Sequence, residues 1–251
     1  MKLKEEKILS GNTTILGLDS SAISASCAIV RAGEVIATAS IHSPQKTHSQ
    51  TLMPLLESVL KATGLAISDI DIFAVSSGPG SFTGLRISVS AIKGMAFALN
   101  KPVCGVSTLM GLAYNLIGQT SPIIACAVMD ARRNEVYNAL FRIEGEKLTR
   151  LTPDRAIPLE MLEKELELLK QEFCDNTTVI LVGDGANLAH NFFEGKYMLA
   201  PEILRLQNAV SVCIAANENE CPLVSPKELM PKYIRKPQAE RERLERKSTH
   251  E

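Results

Sequence analysis

The chain has 251 residues, 45% of them apolar, and a formal net charge of −1. That is enough apolar material for one large domain or two small lobes, and it excludes a chain that is disordered beyond its ends. The near-neutral balance, with no dense basic tract ahead of the C-terminus, argues against tight nucleic-acid binding by this chain alone.

Met1 to Lys7 are charged and lead into only a short apolar patch, unlike a signal peptide. The longest apolar stretches are broken by Arg, Lys or Gly, so none is expected to span a membrane. The cysteines, at 27, 104, 126, 174, 213 and 221, form no C-x-x-C. Cys27, Cys104 and Cys126 have apolar neighbours and are expected as buried thiols in a reducing cytoplasm.

Ile15–Leu18 reads as a buried strand, Ala25–Val30 as a second and Val35–Ala39 as a third, with a hairpin turn at Arg31–Glu34. Asp19, ahead of Ser20 and Ser21, either faces a nucleotide, as at the start of actin-like nucleotide-binding folds, or simply closes a turn. Leu52, Leu55, Leu56, Val59 and Leu60 make one helical face. Pro54 belongs in a first turn, which starts that helix near Ser49–Thr51, and Gly64 ends it. His42 and His48 flank its start at a spacing that suits no helical metal pair, and no metal site is expected.

Ile72–Val75 is a strand leading into Gly78-Pro79-Gly80-Ser81-Phe82-Thr83-Gly84-Leu85-Arg86. Glycines there can take positive φ or admit another backbone, and a loop opening a helix offers free N–H groups to an anion. The spacing is not a Walker A loop, and it is one residue too long for the dinucleotide fingerprint. It is not a nucleophile elbow either, since Phe82 holds the central place. A plain strand-to-helix turn without ligand stands beside the anion reading. The helix from Leu85 to Leu99 carries a core stripe and a second set of small residues: Gly84, Ser88, Ser90, Gly94 and Ala98. Small residues at that spacing let another helix approach closely, either from within the chain or from another subunit.

Further on, Val103–Val106 is a strand and Ser107-Thr108 caps a helix bearing Leu109, Leu112, Ala113 and Leu116. Ile123–Met129 and Val136–Ile143 are strands joined by a turn at Asp130–Asn134. Pro158–Phe173 is an amphipathic helix, Val179–Val182 a strand ending in Gly183-Asp184-Gly185, and a helix follows from Ala186. From about residue 238 the chain is dense in Glu and Arg, a charged tail. The order predicts mixed sheets covered by helices.

GPGSFTGLR at 78–86 resembles the TsaB (YeaZ) family of bacterial tRNA threonylcarbamoyladenosine synthesis. Ile15–Ser20 with Asp19, His48 ahead of Leu52 and Pro54, Gly105–Leu109, Asp130–Arg133 with Val136-Tyr137, and Pro231–Arg235 match in the same order. The resemblance implies an α/β, actin-like (ASKHA) fold of two ribonuclease-H-like lobes in reduced form. The expected division is 1–104 for the first lobe, with 1–12 an extension, and 105–237 for a smaller second lobe, followed by the tail at 238–251.

The resemblance also implies a non-catalytic role without cofactor. The expected partners are a TsaD-like transferase, which moves threonylcarbamoyl to N6 of a tRNA adenosine, and a TsaE-like ATPase, with tRNA touched only through the complex. TsaD-like sequences hold a metal with H-x-x-x-H, and here those places carry Thr108 and Leu112. The expected contact is the helix after the glycine loop, through Gly84, Arg86, Ser88, Ser90, Ala91, Gly94 and Ala98, together with the amphipathic helix from about Thr51 to Ala62, with self-association when the partner is absent. Asp19, Ser20, Gly78, Gly80, Ser81 and Thr83 are the candidate vestigial nucleotide loops. Arg86 either meets the partner or a nucleotide, or pairs with a carboxylate of its own lobe. Asp130 is expected to hold its turn with Arg132 or Arg133.

Two other classes remain in view. An actin-like ATPase or kinase would use the same loops, with Asp130 and Asp184 enlisted for Mg²⁺. A tRNA-binding module would use Arg132, Arg133, Arg235 and Lys236.

Overall fold

A computed structural model describes residues 12–42, 47–132, 134–173, 177–218 and 221–235. Arg133, Cys174, Lys236, the 1–11 part of the N-terminal extension and the 238–251 tail, each named above, lie outside the described residues.

The first sheet begins with β1 (Thr14–Asp19), β2 (Ser24–Arg31) and β3 (Glu34–His42), an antiparallel meander. Helix α1 (His48–Thr63) follows, then β4 (Ile72–Gly78), α2 (Phe82–Leu99) and β5 (Val103–Ser107). β4 pairs with β1 and β5 with β4, both parallel. The chain then crosses through α3 (Thr108–Tyr114) and repeats the plan. β6 (Gln119–Asp130), β7 (Glu135–Gly145) and β8 (Lys147–Arg150) form the second meander, and β9 (Arg155–Pro158) adds to β7. Helix α4 (Leu159–Glu172), β10 (Thr178–Val182), α5 (Ala186–Phe192) and β11 (Met198–Leu199) complete that sheet. The closing elements are α6 (Glu202–Arg205), α7 (Ala209–Asn217) and β12 (Leu223–Val224).

The first sheet reads β12-β5-β4-β1-β2-β3 and the second β11-β10-β6-β7-β8. The shared strand order makes this the actin-like fold of two ribonuclease-H-like lobes that the sequence predicts. Burial on both faces explains the near-continuous apolar runs of β1, β2 and β4. Alternate residues face opposite layers. Ile15, Ala28 and Val30 point inward to a core shared with Ala127, Ala139 and Phe141 of the second sheet, and α3 and α7 fill the space between. Leu16, Leu18 and Ile29 point outward to α1 and α2. Ile124, Cys126 and Leu140 point outward to α4 and α5.

The division expected between 104 and 105 falls inside β5. Val103–Ser107 as a whole completes the parallel side of the first sheet, and β12 returns from the far end of the chain to pair with it. The range 105–237 therefore does not close on itself. Helix α1 opens at His48, so Pro54 sits in its second turn, solvent-exposed, and not in its first. Gly64 ends the helix in the left-handed conformation, as expected. Against the expectation drawn from its interruptions, α2 is long and apolar enough to cross a membrane by length and composition. In this fold Leu85, Val89, Ile92 and Ala96 place one of its faces in the core. The five described cysteines are buried and form no disulfide, and burial pushes the Cys27 and Cys126 thiols up to about 12.

Candidate functional site

Asp19 ends β1, and its carboxylate turns inward. Oδ1 accepts from the Ser21 N–H at 2.9 Å and from Ser21 Oγ at 2.8 Å, while the other oxygen accepts from Ser76 Oγ on β4. Burial pushes this carboxyl above its usual range, and the Ser76 and Ser21 hydrogen bonds oppose the shift. Ser20 Oγ donates to the Gly84 carbonyl at 2.9 Å, and the Ser81 N–H donates to the Ser21 carbonyl at 2.7 Å. The loop after β1 is thereby stitched onto the glycine loop.

That stitching explains the glycines. A Cβ at Gly84 would lie 1.9 Å from the Ser20 carbonyl oxygen, and one at Gly80 would lie 2.4 Å from that of Ser21. At Gly78 it would lie 2.2 Å from the carbonyl oxygen of Lys232, whose N–H donates to Ser77 O at 2.6 Å. The inner side of the loop is thus occupied by the protein's own backbone. Two N–H groups that could meet an anion are committed: Ser81 N to Ser21, and Gly84 N to the capping Ser81 Oγ at 3.3 Å.

Between the lobes lies an open cleft of about 690 Å³. The first turns of α1 and α2, with Ser81 and Thr83, form one wall; Asp130, Arg132, Tyr137 and Asp184 form the other. Asp19, Ser20 and Gly78 do not line it. His48 donates from Nε2 to the Ala22 carbonyl at 2.7 Å, tying α1 to the loop after β1. Asp130 holds its turn by accepting the Arg132 backbone N–H at 2.6 Å. Asp184 accepts from Gln207 Nε2 at 2.8 Å. Burial pushes its carboxyl upward, and the charges of Asp130 and Asp19 push the same way. With Asp19 withdrawn, no three His, Cys, Asp or Glu side chains gather for an ion among the described residues. Thr108 and Leu112 are both buried, and Leu112 has no lone pair to offer.

The small residues of α2 divide between two faces. Gly84 and Ser88 are buried, Ala91 is half-buried, and Ser90, Gly94 and Ala98 are exposed. A Cβ at Gly94 would meet nothing within 4 Å. On the same side Phe97 is 63% exposed.

A strap at 225–235 takes a path across both lobes that the sequence reading does not foresee. Lys93 Nζ donates to the Leu229 carbonyl at 2.8 Å, and the Tyr233 ring stacks on Phe82 with centroids 4.8 Å apart. Arg86 Nε donates to Tyr233 Oη at 3.2 Å. Beyond them Arg235 crosses to the second lobe, donating to Ala131 O at 3.0 Å and pairing with Glu135. The guanidinium proposed as a phosphate contact is therefore committed within the chain. The Pro231–Arg235 match and the charge of Arg235 mark this segment in the sequence, and neither says where the strap runs.

A family model described as TsaD, tRNA N6-adenosine threonylcarbamoyltransferase, matches residues 34–243. A Bacillus subtilis protein named tRNA threonylcarbamoyladenosine biosynthesis protein TsaB is 34% identical over 181 residues, covering 72% of this chain and 75% of its own. A Haemophilus influenzae protein of the same name is 35% identical over 126 residues, 50% of this chain and 52% of its own. The solved structure of YeaZ from Pseudomonas aeruginosa superposes with a TM-score of 0.71 at 26% identity, over 88% of this chain and 99% of that one.

Proposed function

The chain belongs to the TsaB (YeaZ) family, and from that premise we propose that it serves the formation of N6-threonylcarbamoyladenosine in tRNA as a non-catalytic subunit. In this reading it binds and activates a TsaD-like transferase, a TsaE-like ATPase joins the pair, tRNA is met only through the complex, and the work is cytoplasmic. When the partner is absent the same surface closes a homodimer.

The observation that carries the reading is the bare outer face of α2, where Ser90, Gly94 and Ala98 stand exposed beside Phe97. Small residues in such a row let a partner helix come within backbone distance, and the large exposed side chain at the edge supplies apolar contact. The charge of α2 favours an acidic partner, since the helix carries Arg86 and Lys93 and no Asp or Glu. Two features of the residues favour a scaffold over an enzyme. Asp19 is sealed against serines, and the H-x-x-x-H places hold Thr108 and Leu112.

Gly94→Leu tests it. A Cβ there meets nothing, so the variant folds, while the filled row blocks close approach. Expected is loss of co-elution with the TsaD-like partner and loss of stimulated tRNA modification in a reconstituted system. Unchanged co-elution of the folded variant overturns the interface, and threonylcarbamoyl transfer by this chain unaided overturns the role.

A further inference from the structure

We infer that Arg86 is the anchor that receives a carboxylate of the docked partner protein, and that the C-terminal strap holds it ready for that contact. The inference rests on the α2 docking reading above.

Of the two cations on α2, Lys93 is already committed to the strap, donating to Leu229 O. Among the described residues Arg86 has no ion-pair partner, so the expected pairing within its own lobe is not what the structure holds. Its guanidinium lies over the Phe82 ring, Cζ 3.8 Å from the centroid. Its Nε donates to Tyr233 Oη, and Tyr233 is itself stacked on Phe82. One face and one edge of the plane are thus fixed by two rings, the second of them arriving from 147 positions away. The terminal nitrogens are left to form the fork that matches a carboxylate in two parallel hydrogen bonds.

The position agrees with that role. Arg86, Ser90, Gly94 and Ala98 succeed each other every four residues, so they share one face of α2. A partner helix lying along the small residues brings a side chain to Arg86 at the helix N-terminal end, where the peptide dipoles also favour a negative charge. Arg86 is not among the residues that line the interlobe cleft, although the Phe82 ring beneath it is. Holding a long side chain in its bound geometry beforehand removes part of the ordering cost of association, and exposed Arg and Tyr so arranged are typical interface anchors.

The experiment measures the affinity of the full chain for the TsaD-like partner, by titration calorimetry at low and high salt. Arg86→Ala is expected to weaken binding about 30-fold or more and to flatten its salt dependence. Arg86→Lys keeps the charge but loses the fork and the stacking, and is expected to stay about 10-fold weaker than wild type. Tyr233→Phe keeps the ring and removes only the hydroxyl, with an expected loss of about 3-fold. Thermal melting of each variant alone checks that the monomer is intact. Wild-type affinity for Arg86→Lys overturns the fork. Wild-type affinity for folded Arg86→Ala, with Gly94→Leu still unable to bind, overturns the anchor and leaves the docking face standing. If Gly94→Leu also binds normally, the docking reading itself has failed.

Discussion

The two lobes place a glycine-flanked turn at the same point of the same topology: Gly78–Gly84 between β4 and α2, and Gly183–Gly185 between β10 and α5. In both, glycine answers one steric demand, the close passage of another stretch of backbone. A Cβ at Gly84 would lie 1.9 Å from Ser20 O, and one at Gly183 would lie 2.0 Å from Val128 O. The lobes then diverge. In the first, the acid that ends β1 is sealed in, the strap crosses the turn, and the following helix runs 18 residues with a bare outer face. In the second, Asp130 ends β6 at the surface, Asp184 stays on the cleft wall, and the following helix has only 7 residues. A shared glycine turn thus reports how backbone passes backbone; what the turn is for depends on the acid and the helix attached to it.

The most severe way to break this comparison is to add a methyl group at the crowded glycines. Gly84→Ala and Gly183→Ala are each expected to lose about 3 kcal/mol or more in urea unfolding, because the obstacle is a carbonyl oxygen and not a movable side-chain end. Gly183 adds a second penalty, its φ of +118°, which an alanine tolerates poorly. A mild loss at either position would show that the loops yield, and the steric account would fail there.

Acid-dependent stability sharpens the contrast. Burial raises the carboxyls of Asp19 and Asp184, so the folded protein binds these protons more tightly than the unfolded chain does. Stability from this source is fully present below the unfolded value near 3.8 and is lost as pH rises through the raised folded values. Asp19→Asn and Asp184→Asn are each expected to flatten the fall of unfolding free energy as pH rises above the unfolded value near 3.8. An unchanged slope in both would mean that these carboxyls ionise as freely in the folded protein as in the unfolded one.

The smallest expected effect is at Gly94, which shares a helix with Gly84 and has open space where Gly84 has a wall. Gly94→Ala should stabilise the isolated chain by about 1 kcal/mol through helix propensity alone. A destabilised variant would reveal a contact at that face and sink the view that it stands bare.

Much of the frame is legible locally. Strands β1, β2, β4, β6 and β10 announce themselves as short apolar runs because they are buried on both faces. Helices α1, α2 and α4 show a stripe because one side of each meets a sheet. Helix α7 carried no such signal. Ala209–Asn217 is packed between two sheets, so its apolar residues have no polar face against which to form a pattern. Strand β12 is two residues long and exists because β5 leaves it an edge to pair with.

The site divides along the same line. Spacing along the chain was sufficient to place the glycine turn, the helix after it and its row of small residues, since each depends on near neighbours. Distance in sequence had to be closed before the rest took shape. Ser76 arrives from β4 to seal Asp19, Lys232 comes in against Gly78, and Tyr233 and Arg235 reach Arg86 and Glu135 from the other end of the chain. Such contacts are set by where the two sheets, once folded, leave room for a returning strand and strap, and no local pattern of residue types encodes that.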